Sequence, residues 1–223
     1  MCKPWPAMST PVLDLRARFE QLPQHAKDTI LGEHRYRDVS DGDWWDFLFD
    51  QFKEDMLEKG IKVNQIYFSG FSNQGDGACF KGHIQNIELF FRANELDKEY
   101  PLLFEAHKAE FADAEVHLSV SVSTRGRYCH DNTMYISSED IEVRNYVDKD
   151  ENPLRYAAIE IYVDEFNSRA QEFSDRCLEI FRAHARTLYR QLNDEHDYLT
   201  SDEHVLESLI SNEMLEQKIE RFE

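Results

Sequence analysis

The sequence predicts an α+β fold: an antiparallel sheet of about four strands with helices packed on one face, including one long helix. Three observations indicate this fold. Residues 116–123 alternate apolar and polar side chains, as a strand with one packed face does. Two β-rich runs, 61–71 and 78–84, flank a glycine-rich stretch and form a predicted hairpin. After Pro153, apolar residues recur at spacings of three and four, which predicts a helix of about nine turns over 154–195.

Short helices are predicted before the sheet. Residues 1–9 form a predicted tail. Amphipathic spacing predicts one helix over 12–22 and a second over 24–31. Pro23 separates the two helices, and Gly32 is expected to end the second, because glycine is the common residue just beyond a helix C-terminus.

The first strong helix is predicted over 44–59, ending at Gly60. Three residues with capping oxygens precede it: Ser40, Asp41 and Asp43. Its apolar residues have the spacing of a buried stripe, which Trp44 and Phe47 widen. The stripe comprises Trp45, Leu48, Phe49, Phe52, Met56 and Leu57. Trp44, Trp45 and Phe47 are also candidate interface anchors if they are exposed.

Helical and strand patterns continue between the hairpin and the long helix. Residues 87–103 are predicted as helix, interrupted near Pro101, with helical character resuming to Phe111. Beyond the strand at 116–123, a return strand is predicted over 133–138. A further strand over 141–146 extends the sheet.

The C-terminal residues predict two helical segments. Thr200 and Glu203 have the spacing of a capping box, which marks the start of a helix. The apolar side of this helix changes near 211–212, which predicts a break there and a separate terminal segment. The predicted regions are an N-terminal extension with short helices (1–40), an α+β core domain (41–200) and an acidic C-terminal helical segment (201–223).

The composition limits the classes of partner. The formal net charge is −19, from 44 acidic and 25 basic side chains. Such a surface repels nucleic acid and anionic membranes, because binding to phosphate backbones relies on lysine and arginine. We therefore expect a protein partner with a basic patch, no direct binding of nucleic acid and no membrane contact. A homodimer is compatible with the sequence.

The sequence also predicts a cytoplasmic protein. It contains no apolar run of about 18 residues, so no transmembrane helix is expected. The first residues, MCKPWPAMSTP, lack the apolar region of a signal peptide. The four cysteines are widely spaced and form no CxxC motif, which favours reduced thiols.

The stretch FSGFSNQGDGACF, residues 68–80, is the part of the chain most similar to a binding loop. Gln74-Gly75 and Asp76-Gly77 suit turns with positive φ angles. Successive N–H groups in such turns can also bind an anion. A strand follows rather than a helix N-terminus, and Asp76 would repel an anion, so we favour a structural turn over a ligand loop.

A polar cluster is predicted on the wetter face of the sheet. His117 and His130 are candidates to lie near each other beside Arg125 and Arg127. A hydrogen-bonded sheet surface is the alternative interpretation and the one we favour. The histidines and cysteines lack metal-site spacings, and nucleotide-binding and hydrolase motifs are missing. We therefore predict no catalytic residue, no cofactor and no metal.

Residues 193–223 carry ten acidic side chains against Lys218 and Arg221, a local charge of −8. A solvated helical face is the ordinary interpretation of such a run. The functional interpretation is a surface for a basic partner, in which spaced carboxylates imitate a phosphate ladder. The candidate partner-binding carboxylates are Glu203, Glu207, Glu213, Glu216 and Glu220, together with Asp76.

Three segments carry a resemblance to a known group of proteins. They are IYFSGFSNQGDGACFKG (66–82), RGRYCHDNTMYI (125–136) and LYRQLNDEHDYLTSDEHVLESLISNE (188–213). Together they resemble small acidic proteins encoded by bacteriophages and mobile elements and labelled antitoxin-like. The resemblance covers about residues 44–213 and implies a phage or mobile-element context. It transfers no catalytic residue.

These observations predict a non-enzymatic accessory protein. It would bind and neutralise a host toxin or an anti-phage defence nuclease, such as a CRISPR-Cas or restriction complex, in the bacterial cytoplasm. Two alternatives stay open. One is a ligand-binding or hydrolytic enzyme that uses the turn at 70–82 with the nearby histidines and arginines. The other is a structural homo-oligomer assembled through the long helix.

Overall fold

The structure is a computed structural model that describes five stretches of the chain: 10–40, 42–101, 116–137, 141–145 and 147–223. Helices within these stretches are α1 (Thr10–Gln21), α2 (Gln24–His34), α3 (Arg37–Ser40), α4 (Asp46–Glu58), α5 (Ile87–Ala93), α6 (Leu96–Glu99), α7 (Pro153–Leu199), α8 (Asp202–Ser211) and α9 (Leu215–Ile219). Strands are β1 (Ile61–Ser69), β2 (Gly77–Ile84), β3 (Val116–Thr124), β4 (Met134–Tyr135) and β5 (Ile141–Asn145). A 3₁₀ turn covers Asp131–Thr133.

The chain divides into two compact units. The first unit comprises Met1–Trp45 together with Leu192–Glu223, and the second comprises Asp46–Gln191. The sequence predicts 1–40 and 201–223 as separate regions, whereas the structure groups the described parts of both in the first unit. Apolar residues from α1, α2, α8 and α9 pack in one core there. The buried members are Phe19, Leu22, Ala26, Ile30, Leu31, Val205, Leu206, Leu209, Leu215 and Ile219.

The second unit contains a five-stranded antiparallel sheet. The path β1-β2-β3-β4 forms its main order, and β5 pairs with β3 off this path. The predicted hairpin is confirmed, with β1 and β2 in register from Ile61 opposite Ile84 to Ser69 opposite Gly77. The register shifts between Val63 and Gln65. The first half of β3 pairs with β5, and its last residues pair with β2 and β4.

Helices α4, α5 and α7 supply the aromatic side chains that bury the inner face of β2. Phe80 of β2 is fully buried. Its ring centroid lies 5.4 Å from that of Phe52 on α4 and 6.0 Å from that of Phe181 on α7. Phe181 in turn stacks on Phe90 of α5, with centroids 5.9 Å apart. The structure therefore confirms the predicted α+β fold, with α4 and α7 packed on the sheet.

The structure differs from the predictions at several element ends. Helix α2 continues through Gly32 to His34, because the helix cost of one glycine, about 1 kcal/mol, is smaller than the gain from packing α2 in the core. Ser201, not Thr200, caps α8: its hydroxyl accepts a hydrogen bond from the His204 N–H at 3.2 Å. Strand β4 has two residues instead of the predicted six. The predicted helical stretch to Phe111 lies outside the described residues beyond position 101.

No helix in the described stretches combines the length and the apolar composition that crossing a bilayer requires. The longest, α7, has 47 residues, and charged side chains recur along it. Its buried positions, such as Phe173, Phe181 and Leu188, follow a single stripe, as in an amphipathic helix.

Two glycines predict opposite effects of an added methyl group. Gly60 has φ +77°, and a Cβ there would lie 2.2 Å from the Asn86 carbonyl oxygen. Gly32 lies inside α2, and a Cβ there would meet no atom within 4 Å. We expect Gly60→Ala to lower the free energy of unfolding by at least about 2 kcal/mol. Gly32→Ala should raise it by about 0.5–1 kcal/mol. Urea unfolding of both variants measures the two changes in the free energy of unfolding. Changes of the same sign and size would contradict this prediction.

Burial of His184 predicts a loss of stability in acid. Burial, aided by the charge of Lys59, lowers the pKa of His184 from 6.5 to about 4. The unfolded chain then binds the proton more readily, so stability is complete above pH 6.5 and falls as the pH drops towards 4. The contribution is about 3 kcal/mol at most. In thermal unfolding between pH 7 and 4, His184→Leu should reduce this decline. Replacing the exposed His25 by glutamine should leave the decline unchanged.

Candidate functional site

Three of the five candidate carboxylates of the C-terminal segment form ion pairs with α1. Glu203 and Glu207 of α8 lie 2.9 Å and 3.4 Å from the guanidinium of Arg16. Glu216 of α9 lies 3.5 Å from Arg18. Exposed pairs of this kind contribute about 0–1 kcal/mol each. They nevertheless reduce the free negative charge that this segment presents to a partner.

The other two candidate carboxylates of this segment are exposed. Glu213 lies in the reversal between α8 and α9, with φ +58°. Glu220 follows the last residue of α9. Within the described part of the chain, neither forms an ion pair. The predicted break between the two terminal helices is confirmed, because α8 ends at Ser211 and α9 begins at Leu215.

The glycine-rich stretch forms the turn of the β1–β2 hairpin, and Asp76 closes it. The Asp76 carboxylate accepts hydrogen bonds from the N–H groups of Ser72 at 2.9 Å and Asn73 at 2.7 Å. These backbone bonds lower the pKa of Asp76. The N–H groups of the turn therefore bind a carboxylate of the chain itself. The prediction of a structural turn is confirmed. The N–H groups of Ser72 and Asn73 already donate to Asp76, so they are not available to bind an external anion.

The predicted histidine and arginine cluster is distributed over β3 and the segment that follows it. His117 lies near the start of β3, opposite Arg144 of β5. It is seven residues, or about 23 Å of extended strand, from the end of β3. Arg125 lies over the ring of Tyr135 and Arg127 over that of Tyr128, at 5.6 Å and 5.5 Å. Of the four predicted residues, only His130 lines the cavity described next.

His130 belongs to a charged network around a buried carboxylate. Asp131 is only 6% exposed. Its Oδ1 lies 2.6 Å from His130 Nδ1, and its Oδ2 accepts a hydrogen bond from Arg186 Nη1 at 2.9 Å. The Asn132 N–H donates a hydrogen bond to His130 Nδ1, with the two nitrogens 3.1 Å apart. Since Nδ1 accepts, Nε2 is the ring nitrogen that can donate. Arg186 also pairs with Glu179.

A cavity of about 590 Å³ opens beside this network, within the second unit. Three parts of the chain line it: the start of β2, the 3₁₀ turn and the outer face of α7. The lining residues are Gly77, Ala78, His130, Asp131, Ala183, Arg186, Thr187, Tyr189 and Arg190. Its volume falls within the range of small-molecule sites, about 300–1,000 Å³.

Two glycines allow the chain segments around the cavity to come close together. A Cβ on Gly77 would lie 2.6 Å from the Cys129 carbonyl oxygen and 3.1 Å from the Cα of His130. A Cβ on Gly75, where φ is +100°, would lie 2.9 Å from the Tyr128 ring. The glycine-rich stretch therefore shapes the cavity wall by allowing backbone contact, although its own N–H groups bind Asp76.

The arginines of the cavity were not predicted from the sequence. Arg186 and Arg190 lie on α7, where Arg182 precedes them at the same spacing of four residues. This spacing is the sequence signal that could have found them, because residues four apart share one helix face. Arg190 is exposed, and its Nη2 donates a hydrogen bond to Thr187 Oγ1 at 3.1 Å. No carboxylate of the described stretches pairs with Arg190.

The outer face of α4 differs from the cavity in charge and polarity. Phe47 is 58% exposed and Leu57 is 51% exposed. Asp50, Glu54 and Glu58 are exposed on the same side of the helix. Of the three aromatic residues predicted as interface anchors, Phe47 is exposed, whereas Trp44 and Trp45 are half-buried. We call the exposed surface formed by Phe47, Asp50, Glu54, Leu57 and Glu58 the α4 face.

Among the described residues, no three His, Cys, Asp or Glu side chains are grouped as metal ligands are. Cys79, Cys129 and Cys177 are free thiols. Burial raises the pKa of Cys79 to about 11, and burial also raises the pKa of Cys177. Both thiols are therefore protonated and poorly nucleophilic near neutral pH.

Comparison with known proteins assigns the chain to a family. No curated protein and no solved structure matches it. A family model described as a domain of unknown function, DUF8835, matches residues 44–202. The match covers more than half of the chain and includes the hairpin, the 3₁₀ turn and α7. The chain therefore belongs to the DUF8835 family.

Proposed function

We propose that the protein is a non-enzymatic accessory protein that binds and neutralises a basic host protein through the α4 face. The target class is a toxin or a nucleic-acid-cleaving defence complex in the bacterial cytoplasm. The observation that carries the proposal is the pair of exposed apolar side chains, Phe47 and Leu57, bordered by carboxylates. The resemblance to small acidic proteins of phages and mobile elements supports the same function.

The spacing of the α4 face suits a protein interface. Phe47 and Leu57 are ten residues apart, so they stand about 15 Å from each other along the helix. Asp50, Glu54 and Glu58 occupy the surface between and beside them. Lys53 pairs with Asp50 at 2.9 Å, which leaves Glu54 and Glu58 as the free carboxylates of the face among the described residues. An aromatic anchor with a charged border is a common arrangement at interface centres.

The charge of the chain determines which partner fits this face. The second unit has 27 acidic and 17 basic side chains, and the first unit has 17 acidic and 8 basic ones. Both units are therefore negative, by −10 and −9. A field of one sign accelerates the approach of a basic protein and opposes nucleic acid. Burial of Phe47 and Leu57 in the complex would then slow dissociation, because removing apolar surface from water stabilises the bound state.

The α4 face predicts the result of a capture experiment. The tagged protein is incubated with nuclease-treated bacterial lysate, washed at low and at high salt, and its partners are identified by mass spectrometry. We expect one stoichiometric basic protein that is released at high salt. The double variant Phe47→Ala with Leu57→Ala should weaken its binding at least tenfold, which corresponds to about 1.4 kcal/mol. Neutralising Glu54 and Glu58 to glutamine should mainly slow association.

Two matched variants control this experiment. Leu154 and Ile161 of α7 are 86% and 64% exposed, so Leu154→Ala with Ile161→Ala removes apolar surface away from α4. Binding should survive that change. A second control neutralises Glu203, Glu207 and Glu216. Loss of binding only in this control would transfer the contact to the C-terminal segment, and turnover of a small molecule without any captured partner would refute the proposed function.

A further inference from the structure

We infer that the cavity between β2, the 3₁₀ turn and α7 binds the phosphate group of a small molecule. This site is independent of the α4 face, since the two share no residue. The inference starts from Arg190, an exposed cation on the cavity wall without a carboxylate partner among the described residues. A guanidinium presents several N–H donors in a fixed plane, which match phosphate oxygens.

The cavity wall has one cation that no carboxylate of the described residues neutralises. Arg186 pairs with Asp131 and with Glu179, whereas Arg190 pairs with neither. The second unit as a whole has a charge of −10. Asp131 Oδ2 accepts a hydrogen bond from Arg186, and Oδ1 lies 2.6 Å from His130 Nδ1. The cation of the wall that has no carboxylate partner among the described residues is therefore Arg190.

Hydrogen bonds within the chain also fix the positions of His130 and Arg186. The Asn132 N–H donates to His130 Nδ1, and Arg186 Nη1 donates to Asp131 Oδ2. The other ring nitrogen of His130, Nε2, is then available to donate a hydrogen bond to a ligand. Side chains that are held in place before a ligand binds reduce the cost of ordering them.

The donors that face a ligand come from two parts of the chain. Arg190 lies on α7, where its Nη2 donates to the Thr187 hydroxyl at 3.1 Å, and that hydroxyl donates its own proton to the Ala183 carbonyl oxygen at 3.1 Å. His130 immediately precedes the 3₁₀ turn and lines the same cavity. The remaining N–H groups of the Arg190 guanidinium and the Nε2–H of His130 can therefore donate to phosphate oxygens. A phosphate group also carries up to about two negative charges, whereas a carboxylate carries one. The remaining wall, with Ala78, Ala183 and the Tyr189 ring, suits the organic part of a small molecule.

Titration with inorganic phosphate and with AMP tests this inference, with changes in backbone amide NMR signals as the readout. Ionic strength is held constant with chloride, and succinate serves as the carboxylate probe. We expect saturable shifts at residues 77–78, 130–131 and 183–190 with phosphate and AMP, and weaker ones with succinate. Arg190→Gln should reduce the phosphate affinity about tenfold or more, because it removes a charge-assisted hydrogen bond. Since Arg190 is exposed, this variant should keep its thermal stability.

Arg176→Gln is the matched control, because Arg176 lies on the same helix but pairs with Glu99, at 3.4 Å. Its phosphate affinity should equal that of the unchanged protein. The inference is overturned if neither phosphate nor AMP shifts these signals, or if the Arg190 and Arg176 variants lose affinity equally. Tighter binding of succinate than of phosphate also overturns it. None of these outcomes bears on the α4 face, whose test measures protein capture.

Discussion

Burial of Phe80 by helices on one side of β2 is the packing constraint on which the second unit depends. Its ring contacts Phe52 of α4 and Phe181 of α7, and Phe181 stacks on Phe90 of α5. Phe80 thus joins two helices directly, and α5 through Phe181, to a strand whose two edges are both paired. Complete burial of a phenylalanine stabilises a fold by about 1.5–3 kcal/mol. The contact also fixes α7 along its own axis, and this places Arg186 and Arg190 beside the first residues of β2.

Much of the fold was predicted from the sequence because its signals are local. The alternation predicted strand β3, and the two runs around the glycine-rich stretch predicted the antiparallel pair β1 and β2. The spacing of three and four residues predicted α7. The predicted ends of helices were wrong where the local preference of a residue competes with packing in the core. Gly32 disfavours helix locally, but Ile30 and Leu31 gain more by packing in the core. Thr200 and Ser201 both offer a capping hydroxyl, and only the backbone path of the preceding helix decides between them.

The candidate site was less predictable, because its contacts join residues that are distant in sequence. Asp131 and Arg186 are separated by 55 positions, and Arg16 and Glu203 by 187. Periodicity indicates which side chains point outwards, but not which outward charges become neighbours. For this reason the acidic run at the C-terminus was interpreted as a surface, although α1 neutralises part of it. Of the residues that line the cavity, His130 was a candidate from the sequence, whereas the arginines of α7 were not.

A strongly acidic protein can still present a cation to a small anion, because charge acts over two different distances. At physiological ionic strength, exposed charges are screened over about 8 Å. A small anion inside the cavity would therefore be affected mainly by the charges that line it, which are Arg186, Arg190 and Asp131. A basic protein covers a much larger surface and experiences the sum of many carboxylates. Such an exception requires a cation that the surrounding acids do not neutralise. Arg186 does not meet this condition, because it pairs with Asp131 and Glu179. Arg190 meets it within the described residues, because its hydrogen bond is to the neutral hydroxyl of Thr187.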